Sequence, residues 1–273
     1  MFFRDRHFRN IVLDMDGTIY RSQKPITGSP ECIDFFRRAG CRIVFMSNNS
    51  ALTRKQYVAK LSRMGIEAKE EEIIHSSLIT AYYLKKEKPG ARIYVIGEDG
   101  LTEELIAAGM VLTDNLLTGK DVDCVVVGLD REFSYRKMKT AMRAILEGAD
   151  FFGTNPDQTY PDEAGLSPSA GAILAAIAAC SGVKPRIFGK PAPEAMELLL
   201  EISGFCRGAT MLIGDRMDTD ITLAWNAGIF SVLVLSGVTG ATPEETGGVL
   251  PDLVVQDLAE LHRRLEQDIS PVE

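Results

Sequence analysis

The feature that most constrains this chain is a repeated join, in which a short apolar run stops on acidic residues. Asn10-Ile11-Val12-Leu13 leads straight into Asp14-Met15-Asp16-Gly17, and Met211-Leu212-Ile213 leads into Gly214-Asp215, with Asp218 and Asp220 close behind. An unbroken apolar run of that length suits a strand buried on both faces, as in a parallel sheet. Amphipathic segments lie between such runs. The alternation predicts an α/β protein with a mainly parallel sheet, in which ligands meet the carboxyl ends of the strands.

The pattern predicts strands at Asn10–Leu13, Arg42–Met46, Ile73-Ile74, Arg92–Ile96, Val122–Val127, 150–152, Thr210–Ile213 and Phe230–Leu235. A helix is expected at 29–39, with Ser29 as its cap, Pro30 in the first turn and Gly40 just past the end. Thr53 caps the next, which stops at Gly65, and others follow at 77–87, 101–108, 134–147, 169–181, 194–203, 219–226 and 257–266. Lys88-Pro89-Gly90 and Gly182-Val183-Lys184-Pro185 punctuate this order as hinges. They divide the chain into a discontinuous core, 1–87 and 186–273, around a middle domain, 88–185.

Composition narrows the function classes. With 45% hydrophobic and 25% charged residues, the 273-residue chain is neither disordered nor a small disulfide-stapled module. Thirty basic residues against 38 acidic ones leave a net charge of −8, which argues against a nucleic-acid partner. The longest apolar run, Ala172–Cys180, is too short to span a bilayer, and no apolar leader follows Met1. Five scattered cysteines without a Cys-x-x-Cys pair read as small, mostly buried hydrophobes in a reducing cytoplasm, and three unpaired histidines argue against zinc.

Four segments carry chemistry. Asp14 and Asp16, two residues apart at a strand end, can converge on one pocket while Gly17 turns the chain away. They do not open an EF-hand, because position 12 of that loop would be Pro25. Asp-x-Asp-Gly is equally ordinary turn chemistry. Asp215 offers a third carboxylate of the kind a hard cation needs, and Asp218 or Asp220 suits a helix cap. Ser47, Asn48 and Asn49 follow a strand and can cradle a phosphate, or form a plain loop. Lys190, in Gly189-Lys190-Pro191, is not a Walker-A lysine, since Pro191 follows it and Lys184 stands where the first glycine belongs.

Their order and combination resemble the haloacid dehalogenase superfamily of phosphotransferases. Its four motifs match Asp14-x-Asp16, Ser47, Lys190 and Asp215 with Asp220, and the middle insertion sits where the class IIA, NagD-like branch carries its cap. The resemblance implies a Rossmann-like doubly wound parallel sheet core with an inserted α/β cap domain of the C2 type. It implies a Mg²⁺-dependent phosphatase of small phosphomonoesters, of sugar phosphate, nucleoside monophosphate, phosphoglycolate or glycerol phosphate type. In that reading Asp14 is the nucleophile that forms an aspartyl-phosphate, and Asp16 is the proton donor and later the base. Mg²⁺ would be bound by Asp14, the Asp16 carbonyl and Asp215, with Asp220 and Thr18 supporting them. Lys190 neutralises charge, while Ser47, Asn48 and Asn49 donate to phosphate oxygens. Asn155 and Tyr160 belong to a cap loop that reaches substrate in the family. Tyr160 argues against pyridoxal phosphate, whose phosphatases carry a His nearby. A homodimer through the cap is expected, with no membrane partner. The competing readings are a silent phosphate-binding module, against which the joint presence of Asp14, Asp16, Lys190 and Asp215 speaks, and a phosphomutase.

Overall fold

The computed structural model describes residues 1–3, 6–113, 121–162, 165–238 and 249–269. The chain folds as two compact units. The first comprises Met1–Ser47, Tyr57–Ile74 and Leu199–Glu273, and the second Asn48–Gln56 and His75–Leu198.

The first unit is built on a sheet of six strands in the order Leu253–Val255, Phe230–Val234, Thr210–Gly214, Asn10–Asp14, Arg42–Ser47, Ile73–His75. Each pairing from Leu253–Val255 across to Arg42–Ser47 is parallel. The uninterrupted apolar runs are the reason: Ile11, Val12, Leu13, Val232, Leu233 and Val234 are fully buried. Burial on both faces is what a parallel strand requires. Strand order reverses between Asn10–Asp14 and Thr210–Gly214, the position at which α/β sheets open a ligand crevice. The helix Ser29–Arg38 starts on Gly28 rather than on the expected cap Ser29, which lies inside the first turn with Pro30. The helix Arg54–Ser62 does start as expected: Thr53 Oγ1 accepts from Gln56 N at 3.2 Å while Gln56 Oε1 accepts from Thr53 N at 2.8 Å, a reciprocal cap.

The second unit has its own parallel sheet, ordered Arg186–Ile187, Asp150–Gly153, Cys124–Val127, Arg92–Ile96, Val111–Leu112. Ile177 and Ala141 from flanking helices pack with Val125 and Val127 in its core. The strand predicted at Val122–Val127 begins at Cys124. A hairpin, Thr159–Asp162 with Gly165–Pro168, is an addition that the sequence pattern did not predict. The unit is larger than 88–185 because its hydrogen bonds reach back. Ser76 Oγ donates to the Asn48 carbonyl at 2.6 Å, Ser77 Oγ to that of Ser50 at 3.1 Å, and Gly100 N to that of Ala51 at 2.9 Å.

The architecture is therefore α/β, with parallel sheets in both units. Cys32, Cys41 and Cys124 are buried, whereas Cys180 and Cys206 are exposed and depart from the expectation of buried thiols. No helix among the described residues is long and apolar enough to cross a membrane.

Candidate active site

Register brings the acids of the first unit together. Leu13 stands opposite Ile213 in the parallel ladder, so Asp14 and Asp215 leave adjacent strand ends almost level. After Asp215 the chain enters a single wide turn of π-helix, Met217–Ile221, before the helix Thr222–Ala227. That turn carries Asp220 back, and its Oδ2 accepts from Arg216 N at 3.2 Å. Asp14, Asp215 and Asp220 each offer a carboxylate oxygen within 4.8 Å of the others. They are 8%, 1% and 1% exposed.

The walls around these acids are stripped of side chains. Gly17, at φ +91°, lies so near that a Cβ there would stand 2.3 Å from Asp215 Oδ2. One on Gly237 would stand 1.8 Å from the same oxygen, and one on Gly214 would meet Asp220 at 2.4 Å. Val238 N donates to Asp215 Oδ2 at 2.8 Å, and Ser236 Oγ ties this segment to the Gly17 carbonyl at 2.9 Å. Neither Ser236 nor Val238 stood out in the sequence, since each acts by backbone position. Three buried carboxylates held this close repel one another unless a cation offsets them. A dense set of hard oxygen donors fits Mg²⁺, which binds through one or two carboxylates and keeps waters and phosphate oxygens.

Asp16 is not one of the three. Its side chain is 41% exposed and lies by Tyr20 and Lys60: Tyr20 Oη donates to Oδ2 at 3.1 Å, and Lys60 Nζ is 3.9 Å from Oδ1. Burial, with Asp16 adding to it, raises the Tyr20 hydroxyl pKa well above its ordinary value. Burial lowers that of the Lys60 amine, and Asp16 opposes the shift. Ser47 is buried and receives the Tyr57 hydroxyl at 3.5 Å. Thr18 is fully buried, and its Oγ1 has no hydrogen-bond partner among the described residues.

The other expected site residues lie in the second unit, where Asn48 bonds to the Lys190 peptide and shares Asp157 with Asn155. Asn48 Oδ1 accepts from Lys190 N at 2.9 Å, and Asn48 Nδ2 donates to the Lys190 carbonyl at 3.0 Å and to Asp157 Oδ2 at 2.9 Å. Asn155 Nδ2 meets the same Asp157 oxygen at 2.8 Å, and its Oδ1 accepts from Thr154 Oγ1 at 2.8 Å. Asn49 Oδ1 caps Ala51 N at 2.9 Å. Tyr160 stands in the hairpin opposite Ser167. Asp157, the centre of this network, was not among the candidates. Its position two residues after Asn155, past a proline, is the signal that could have found it.

The geometry is a parallel sheet whose central strand ends deliver clustered carboxylates. The chain matches the haloacid dehalogenase-like hydrolases over residues 11–111 and a HAD-hydrolase-like family over 187–261. It is 36% identical over 262 residues to an acid sugar phosphatase of Staphylococcus aureus (strain USA300), covering 96% of this chain and all of that one. The chain belongs to the haloacid dehalogenase-like hydrolases. Within them it falls in class IIA: NagD of Escherichia coli is 28% identical, with a TM-score of 0.85 over 93% of this chain and 98% of that one. The glycerol phosphate phosphatase of Mycobacterium tuberculosis, solved in complex with magnesium, is 31% identical with a TM-score of 0.85, covering 94% of this chain and 77% of that one. This haloacid dehalogenase-like hydrolase is thus an enzyme acting on phosphomonoesters.

Proposed function

We propose that the protein is a Mg²⁺-dependent phosphatase of small phosphomonoesters that works through an aspartyl-phosphate. The observation that carries this reading is the buried cluster in which Asp14 and Asp215, at adjacent strand ends, meet Asp220 from the wide turn that follows. Asp14 and Asp215, with the Asp16 carbonyl, would hold the ion, Asp220 and Thr18 supporting them. When bound, it offsets the charge that a phosphate dianion brings to these acids.

The residues perform two displacements. An oxygen of Asp14 attacks phosphorus, a new P–O bond forms to Asp14, and the bond to the leaving oxygen breaks as Asp16 gives it a proton. Asp16, now a carboxylate, takes a proton from water as that water attacks phosphorus. Inorganic phosphate leaves and Asp14 is regenerated. Lys190 supplies positive charge to the transferring group, and Ser47 donates a hydrogen bond to it, with Asn49 assisting through the backbone. Asn48 and Asn155 are better read as holders of Lys190 and Asp157, because their amides already bond there. Tyr160 is assigned to the substrate side.

The relatives' names support sugar phosphates or glycerol phosphate as the substrate class. Phosphate release across a panel of such esters, with p-nitrophenyl phosphate as the artificial substrate, tests the reading. Activity should vanish with chelator and return with Mg²⁺; a panel negative with Mg²⁺ present overturns the reading and leaves the phosphate-binding module or the phosphomutase. A homodimer through 88–185 is part of the proposal, and sedimentation of the purified chain tests it.

A further inference from the structure

We infer that Tyr20 and Lys60 are positioning residues that aim the Asp16 carboxyl group at the leaving oxygen. The inference rests on the reading of Asp16 as proton donor and adds the groups that hold it. An aspartate two residues beyond a strand swings about two side-chain torsions, so its proton can be delivered in many directions. Proton transfer needs one of them.

Both oxygens of Asp16 have a designated neighbour. The Tyr20 hydroxyl donates to Oδ2 at 3.1 Å, and the Lys60 ammonium lies 3.9 Å from Oδ1. The neighbours also hold each other, since Lys60 Nζ is 3.7 Å from the centroid of the Tyr20 ring, a cation–π distance. The backbone fixes the tyrosine in turn. Gly17 N donates to the Tyr20 carbonyl at 2.8 Å, and Tyr20 N to that of Met15 at 3.2 Å, folding Tyr20 back over Asp16.

Burial divides the roles. Tyr20 is fully buried and the Lys60 side chain is 14% exposed, while that of Asp16 is 41% exposed. A lysine is seldom covered without a partner. Here its amine lies beside the carboxylate and the ring. Each carboxylate oxygen keeps a second lone pair, so the held group still exchanges protons with a ligand. Tyr20 and Lys60 therefore act through Asp16 and do not themselves exchange the proton.

The test exploits leaving groups. An alkoxide needs a proton as it departs, whereas p-nitrophenolate leaves as a stabilised anion. The readout is kcat/KM, which covers the steps through P–O cleavage, for glycerol phosphate and p-nitrophenyl phosphate. Tyr20→Phe removes one hydroxyl, and Lys60→Met keeps an apolar stem. Since general acid catalysis contributes about 10²–10⁴-fold, each variant should lose ~10-fold or more on glycerol phosphate and under ~3-fold on p-nitrophenyl phosphate. Equal losses on both substrates overturn the inference, because a loosened fold lowers both alike. Activity unchanged on both overturns it as well. Asp16→Asn is the reference. If it too fails to separate the substrates, the reading of Asp16 falls and the inference with it. If it separates them and the other two variants do not, the inference falls alone.

Discussion

The two units keep polar groups out of water by opposite means. In the first, Asp14, Asp215 and Asp220 are gathered by strand ends and one wide turn, and the glycines around them hold space open. In the second, Asn48, Asn155, Asp157 and the Lys190 peptide bond among themselves, across separations of 109 and 142 residues. One cluster concentrates like charge, which calls for a cation. The other has its donors and acceptors matched within itself. The contrast is between a binding site and a clamp, and substitutions should separate them.

The largest effect is expected at Asp14. Asp14→Asn should lower phosphate release by ~10³-fold or more, while the melting temperature holds or rises because one of three mutually repelling acids is gone. Collapse of the fold would break the contrast. Next comes Gly237→Ala, whose Cβ would stand 1.8 Å from Asp215 Oδ2. It should raise the Mg²⁺ concentration for half-maximal activity by roughly 10–100-fold, as read from a metal titration. On the clamp side, Asp157→Ala leaves the Asn48 and Asn155 amides without their shared acceptor. The cost should be about 1–3 kcal/mol in urea unfolding, with the Mg²⁺ requirement unmoved. A shifted metal titration in that variant would erase the distinction between the units.

The smallest effect concerns pH. His75 is fully buried, with Nε2 3.7 Å from Glu104 Oε1, a distance that suggests an ion pair. Burial, aided by Arg54, pushes its pKa down to about 3, so the contact is made by a neutral ring. Arg54 Nε takes the Glu104 carboxylate directly at 2.6 Å. The unfolded chain protonates this histidine near pH 6.5 and the folded chain does not. The contribution of His75 to stability is therefore fully present above that pH and is lost as pH falls toward 3, at roughly 1 kcal/mol per pH unit. His75 also caps the helix Ser76–Glu87, its Nδ1 accepting from Leu78 N at 3.4 Å, and His75→Asn, which can cap it too, should flatten this limb in unfolding measured from pH 7 to 5. An unchanged slope would place the acid sensitivity elsewhere.

What could be read from the sequence follows the same divide. The strands at 10–13 and 210–213 and the carboxylates after them are visible because the signal is local, an apolar run and then Asp, and the strand at 42–46 shows in the same way with Ser47 and two asparagines after it. The clamp is only half visible: Asp157 lies two residues after Asn155, but its bond to Asn48 spans 109 residues, which no local pattern shows. The pairing of Tyr20 with Lys60 is hidden for the same reason, since the two are 40 positions apart. Ser29 misled because Ser before Pro is good cap chemistry, yet Gly28 at φ +82° starts the helix. The hairpin at 159–168 carries two prolines and little β-branching, so periodicity was silent there. The backbone walls at Gly17, Gly214 and Gly237 act by what they lack. A sequence shows such glycines as turns and does not show what passes beside them.

The ladder that sets Leu13 against Ile213 also limits how the gene can change in length. Side chains alternate faces along a strand, so adding or deleting one codon within 11–13 would turn Asp14 to the far side of the sheet, and one within 211–213 would shift Gly214 and Asp215 out of register with it. The segment Lys88-Pro89-Gly90 has no such phase to keep. A library of single-codon insertions and deletions should therefore return active clones there and none from the two strands. For this enzyme, spacing is under tighter constraint than much of the composition.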